Sequence, residues 1–291
     1  MDIKAYLIER QRLLDEALEE YLPPADRYPV SIHEAMRYTV LNGGKRLRPI
    51  ITMAAAEACG GKAQSVLPTA CAIELIHTYS LIHDDLPPLD NDDYRRGKPS
   101  CHVAFGEAIA ILTGDALLPL AFSLIAENLG TDGIDEARVI RVIKEVSNAI
   151  GSLGMVGGQV VDLETTPETV TPPLIQYIHT HKTGLLFRVA TRCGAILVGV
   201  NEEELKSLTL YGENLGFAFQ IVDDLLDFKT GKGKGGASYP GLFGIMTSKD
   251  KANSLLEQAI SFLEGFGEKA LPLESIARFI GDYMSSATNE A

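Results

Sequence analysis

A chain of 291 residues, 46% hydrophobic and 22% charged, without tryptophan, has the composition of an ordinary folded protein rather than a disordered or fibrous one. Its 26 Lys and Arg against 39 Asp and Glu leave a net charge of −13, which argues against a nucleic-acid partner held by phosphate neutralisation. The same charge repels anionic substrates, so any such ligand must be met by local cations, either bound metal or clustered Lys and Arg.

The opening stretch, MDIKAYLIERQRLLDEALEEYL, is charged throughout and spaces Leu7, Leu13, Leu14 and Leu18 at helical intervals, predicting an amphipathic helix rather than a secretory signal. Residues 68–83, 108–125 and 185–200 are apolar on nearly every side and are expected deep in a bundle. Leu205, Leu208, Leu210 and Leu215 mark a further helix. No span is expected to reach the ~20 apolar residues of a membrane helix, so a cytoplasmic protein without stable membrane insertion is predicted. Turn signals fall at Pro23-Pro24, Asn42-Gly43-Gly44, Pro87-Pro88, Thr131-Asp132-Gly133, Pro172-Pro173 and residues 231–236, none long enough for a domain linker. The expected fold class is all-α, a large single-domain helical bundle over residues 1–291. Cys59, Cys71, Cys101 and Cys193 form no CxxC pair and read as reduced core thiols.

NGGKRLRP sets Lys45, Arg46 and Arg48 at the start of a helix, where Arg forks and backbone N–H groups can grip phosphate oxygens. Taken alone, Arg46 reads as a surface charge, and His77 as either a satisfied core histidine or a ligand contact. LIHDDLPPLDNDDYRRGKP then places Asp84, Asp85, Asp90, Asp92 and Asp93 before Arg95 and Arg96. Six residues of straight helix turn the chain by ~600°, so Asp90 can join Asp84 only if the helix opens at Pro87-Pro88. FQIVDDLLDF sets Asp223, Asp224 and Asp227 on one helix face, where they repel one another unless a cation intervenes. Hard oxygen ligands of this kind suit magnesium, which is usually shared with substrate phosphates. One acidic cluster could be a solvated loop. Two, each interrupting an apolar helix, point to a shared metal-filled cavity between helices. Gly231, Gly233 and Gly236 formally fit GxGxxG, but no strand precedes them, and Gly43 to Lys45 lacks P-loop spacing, so both nucleotide readings are rejected.

Taken in order, GGKRLRP, ELIHTYSLIHDDLPPLDNDDYRRGKP, GQVVDL (158–163), HKTG (181–184) and FQIVDDLLD make the chain resemble a trans-isoprenyl diphosphate synthase, and most closely the bacterial farnesyl diphosphate synthases. The resemblance spans nearly the whole chain. It implies the isoprenoid synthase fold around a central cavity, a homodimer, and a magnesium-dependent prenyltransferase that condenses isopentenyl diphosphate head to tail (1'-4) with dimethylallyl or geranyl diphosphate. Up to three magnesium ions per site, replaceable by manganese, would be held by Asp84, Asp85, Asp90 and Asp223, with Asp224 and Asp227 completing the second motif. Arg95, Lys182, Thr183 and Gln220 would hold the allylic diphosphate, Thr183 and Gln220 also facing the allylic cation. Lys45, Arg48, His77 and Arg96 would hold isopentenyl diphosphate.

Ser80 lies one turn before Asp84, and Tyr79 lies ~7.5 Å down the same helix. In the family an aromatic there, with the two-residue expansion of the first motif, goes with a C15 product. Farnesyl diphosphate is therefore the expected product, and geranylgeranyl or another short-chain diphosphate the alternative; Tyr79 reads equally well as core packing. A class I terpene cyclase would mix Asn or Asp, Ser or Thr, and Glu in its second motif, and a silent partner subunit would lose acidic motifs, so both rank lower. Two departures stand out. Gly236 occupies a position where relatives usually carry lysine, with Lys232 or Lys234 as replacements, and the C-terminus IGDYMSSATNEA lacks a basic tail.

Overall fold

Helices dominate the computed structural model, which describes residues 1–230 and 237–289. α1 (Ile3–Tyr21) begins at Asp2, whose carboxylate accepts the Ala5 N–H at 3.1 Å, and buries Leu14, Ala17 and Leu18 along one side. α2 (Val30–Val40) and α3 (Leu47–Ala58) lead to α4 (Leu67–Asp84), which takes Pro68 in its first turn and is enclosed along most of its length. The all-α expectation holds. The described strands are a two-residue ribbon, β1 (Tyr94–Arg95) against β2 (Lys98–Pro99), which carries the end of the first acidic motif.

Beyond the ribbon come α5 (Cys101–Phe105), α6 (Glu107–Glu127), α7 (Glu136–Ile150), α8 (Met155–Glu164) and α9 (Pro172–Ile178). Pro172-Pro173 thus opens a helix instead of marking only a loop. A π-helical turn, His179–Gly184, runs into α10 (Leu185–Val198), followed by α11 (Glu202–Thr230), α12 (Tyr239–Phe243), α13 (Ile245–Ser261) and α14 (Leu271–Asn289). α4 packs on α6 and α3, α10 joins α3 to α11, and α13 flanks α11, so one continuous apolar core runs from Leu14 to Met284. Fully buried side chains such as Leu75, Ile76 and Phe187 each contribute about 1.5–3 kcal/mol by leaving water. Cys71, Cys101 and Cys193 are buried in this core, Cys59 is half-buried, and all four are free thiols.

α6 corrects two expectations. Although apolar on all sides, it is covered on one face only: Ile111 and Leu112 are 44% and 53% exposed. Both Ala63–Asp84 and Glu107–Gly130 are also long and apolar enough to cross a membrane, contrary to the reading that no span is. The first is mostly enclosed by this protein's own helices; the second shows that apolar composition demands a cover without saying what supplies it. Gly231, Lys232, Gly233, Lys234 and Gly236 lie outside the described residues.

Tyr211 ties α11 to α14. Its ring is fully buried, and its hydroxyl donates to the Leu273 carbonyl at 2.8 Å. Tyr211→Phe removes this second hydrogen bond to a helical carbonyl in the core, and is expected to cost about 0.5–1.5 kcal/mol in urea unfolding with an unchanged m-value.

Candidate active site

A cavity of about 880 Å³ opens between α4, α8, α9, the π-helical turn, α10 and α11. α4 ends at Asp84, and the chain then turns through Pro87-Pro88 until the Asp90 N–H donates back to the Asp84 carbonyl at 2.9 Å. The predicted break thus brings both aspartates to the cavity wall. Asp85 points elsewhere. It is 2% exposed, gripped by Arg95, and lies against Thr78, Ser100 and Cys101 in a small adjoining pocket. Arg95, itself on the cavity wall, is thereby aimed by Asp85 and, at 3.0 Å, by Asp92.

On the second motif Asp223, Asp224 and Asp227 all line the same cavity, but their surroundings differ. Both oxygens of Asp224 are engaged by the protein. Oδ1 accepts from Gln220 Nε2 at 3.0 Å; Oδ2 accepts from the Tyr239 N–H at 2.8 Å and lies 3.2 Å from His179 Nε2. Gln220 in turn accepts the Thr183 hydroxyl at 2.7 Å, so the Thr183 oxygen keeps its lone pairs for the cavity.

Lys182 and Thr183 reach the cavity from the π-helical turn, whose wider winding sequence patterns do not announce. α8 presses against this turn at Gly158, where a Cβ would collide with the Lys182 backbone. Lys182 Nζ meets Asp162 at 2.8 Å. Burial works against its charge, but Asp162 and Asp84 outweigh that and lift its pKa above the ordinary lysine value. Sequence pattern does not single out Asp162, Gln159 or His179 individually. The signal was present for the first two in GQVVDL, whose Gln and Asp stand three apart on one face of α8.

The basic residues form the other part of the wall. Lys45, Arg48, His77 and Arg96 all line the cavity. Arg48 lies over the Phe187 ring at 4.4 Å and donates to His77 Nε2 at 3.5 Å, and its buried Nε has no hydrogen-bond partner among the described residues. Burial pushes the Arg48 pKa down to about 10, and burial with the neighbouring arginines holds His77 well below the usual histidine range, so His77 is neutral at pH 7. Arg46 corrects its sequence reading as a surface charge: it is 3% exposed and turned away from the cavity into an ion pair with Glu74.

The donor set fits a hard divalent ion shared with a ligand. Among the described residues no three acidic, histidine or cysteine side chains converge closely enough to hold an ion unaided. Burial foremost, reinforced by Asp90 and Asp85 against the pull of Lys182, pushes Asp84 up to about 6. Burial with Asp227 and Asp224 does the same to Asp223. These carboxylates lack positive charge that the protein does not supply, as expected where magnesium arrives with phosphate oxygens. Tyr79, 7% exposed and edge-on to His83 at 5.9 Å, and Ser80 lie on the wall beside Asp84, with Met155, Ile178, Leu186 and Phe219 completing apolar parts of the lining.

The family model for polyprenyl synthetases matches residues 29–261. A dimethylallyltranstransferase of Fischerella ambigua (strain UTEX 1903) is 46% identical over 94% of this chain and 82% of its own length. A geranylgeranyl diphosphate synthase of Cyanophora paradoxa is 42% identical over 96% of each. Further curated relatives at 41–43% identity are named geranylgeranyl pyrophosphate synthases. Among solved structures, an FPP/GFPP synthase of Zymomonas mobilis superposes with a TM-score of 0.87 at 39% identity, covering 96% of this chain and 99% of that one.

The raised carboxyls set a pH dependence. Native Asp84 and Asp223 hold protons up to about pH 6, whereas the unfolded chain releases them in the ordinary carboxylate range, so between about pH 4 and 6 the native state binds more protons. Stability in EDTA should therefore fall as pH rises through that window. At pH 7.5 Asp84→Asn is expected to melt about 2–4 °C higher than the unsubstituted protein in EDTA, and to lose most of the upward shift that magnesium pyrophosphate gives. A variant that melts no higher counts against the electrostatic strain.

Proposed function

The chain belongs to the polyprenyl synthetase family, and from that premise we propose that it joins isopentenyl diphosphate head to tail (1'-4) to an allylic diphosphate, with residues 1–291 acting as one catalytic domain. One observation carries this reading: two acidic motifs and a basic cluster, whose Arg48 Nε has no hydrogen-bond partner among the described residues, open into one partly apolar cavity.

Arg95 and Lys182 hold the allylic diphosphate, while Arg48, Lys45, His77 and Arg96 hold isopentenyl diphosphate. Asp84, Asp90, Asp223 and Asp227 would hold magnesium, which when bound would supply positive charge to the leaving diphosphate. Asp85 and Asp224 serve from behind, by orienting Arg95 and Gln220. The allylic C1–O bond breaks with its electron pair going to diphosphate, the isopentenyl double bond attacks C1 through C4, and the C2 proton passes to the released diphosphate. Arg95 and Lys182 stabilise the charge on the leaving oxygen, and the oxygens of Thr183 and Gln220 face the allylic cation. The apolar lining keeps water from quenching it.

The relatives' names favour a C20 product, geranylgeranyl diphosphate, over the C15 product expected from the motifs. A farnesyl product remains the second reading, supported by the Tyr79 ring in the cavity wall. The enzyme works as a cytoplasmic homodimer in which a second copy covers the Ile111 and Leu112 face of α6.

Purified protein given isopentenyl diphosphate, magnesium and dimethylallyl, geranyl or farnesyl diphosphate should release diphosphate and elongate the primer, and EDTA should stop both. No condensation with any primer by folded protein sinks the assignment. If Tyr79 limits growth, Tyr79→Ala will lengthen the product by at least one isoprene unit; an unchanged product removes it from that role.

A further inference from the structure

Glu74 lies beneath the basic subsite and has no part in the reaction described above. It stands on α4 one turn before His77 and is 1% exposed. Its Oε1 accepts from Arg46 Nη1 at 2.6 Å and lies 3.7 Å from Arg96 Nη2. Arg46 is fixed from three sides, since its Nε also donates to Asp15 at 3.0 Å and its Nη2 to the Val40 carbonyl at 2.6 Å. Glu74 Oε2 is buried and has no hydrogen-bond partner among the described residues. A buried ion pair serving the fold alone is expected to fill both carboxylate oxygens. This one keeps acceptor capacity on the carboxylate that faces Arg96.

Arg96 is held in an unusual way. Its backbone is left-handed, φ +53°, as is that of Arg46, φ +49°, so both arginines sit at strained turn positions. Its guanidinium donates to the Gly43 carbonyl and lies flat on Gly44, where a Cβ would come within 2.6 Å of Arg96 Cζ. Arg46, Arg48 and Arg96 crowd around His77, and mutual repulsion would splay them in a ligand-free, dry pocket. Glu74 is the anion that both Arg48 and Arg96 feel most strongly.

Resting on the reading that this subsite takes isopentenyl diphosphate, we propose that Glu74 is a positioning residue: anchored by Arg46, it holds the Arg96 guanidinium against the Gly43-Gly44 turn and keeps the arginine cluster assembled before the diphosphate arrives. The ligand then meets cations already aimed at it, and little of its binding energy goes into ordering them. The negative charge of Glu74 opposes the incoming diphosphate, but it acts from behind the guanidiniums, whose forks contact the ligand directly.

The test separates the two substrates. Glu74→Gln keeps the shape and removes the charge; it should raise KM for isopentenyl diphosphate about tenfold while KM for the allylic diphosphate stays within about twofold. In EDTA, where the acidic subsite repels anions, calorimetry with inorganic pyrophosphate should show a comparable loss of affinity. Glu74→Asp keeps the charge but draws it back by one methylene, and should fall between the two. Should Glu74→Gln fail to fold, Glu74→Asp decides by the same ratio. A purely structural Glu74 would lower the melting temperature and kcat while leaving the ratio of the two KM values and the pyrophosphate affinity unmoved, and that outcome overturns the proposal. Wild-type protein that condenses no substrate would sink the functional reading instead, and pyrophosphate binding would still decide the role of Glu74.

Discussion

The structure depends on balancing like charges inside a partly dry cavity. A chain with a net charge of −13 brings Asp84, Asp90, Asp223 and Asp227 to the walls of one cavity, where the carboxyls of Asp84 and Asp223 are pushed up to about 6. Arg48 and Arg96, beside the neutral His77, pose the opposite problem nearby. Each set is incomplete without the other's ligand: the carboxylates need cations, and the cations need phosphate oxygens. Under the proposed function a magnesium diphosphate would satisfy the first set and a bare diphosphate the second.

Several side chains on the cavity wall are held in place by a second side chain. Asp85 holds Arg95, Asp162 holds Lys182, Asp224 orients Gln220 and through it Thr183, and Glu74 stands behind Arg96. Neighbouring aspartates of the two motifs thus differ in their surroundings. In the first motif Asp84 turns to the cavity and Asp85 away from it. In the second Asp224 is bound on both oxygens by Gln220 and Tyr239, with His179 alongside. Backbone irregularities cluster at the same places, with Arg46, Asn91 and Arg96 left-handed and Lys182 on a π-helical turn.

The α6 helix shows how far composition reaches. Its apolar residues on every side were read as a deep core helix, yet Ile111 and Leu112 face outward. Hydrophobicity reports that a surface should be covered, not which molecule covers it. Arg46 failed in the opposite sense. A charge in a polar loop is usually solvated, and only the fold brings Asp15, Glu74 and the Val40 carbonyl around it.

Sequence by itself determined the helical architecture, the helix break at Pro87-Pro88 and the chemistry of the two acidic motifs, because helical periodicity, proline and i,i+4 spacing act over a few residues. The motifs also named most of the charged side chains on the cavity wall, but not its apolar lining. Tertiary structure decided that Asp85 turns away from the cavity while Asp84 faces it, that Arg46 is buried, and that Asp162, Gln159 and His179 join the cavity wall. Those outcomes depend on contacts between segments well separated in the chain, such as α4 with the GGKR turn and α11 with the π-helical turn, and local pattern carries no information about such distances.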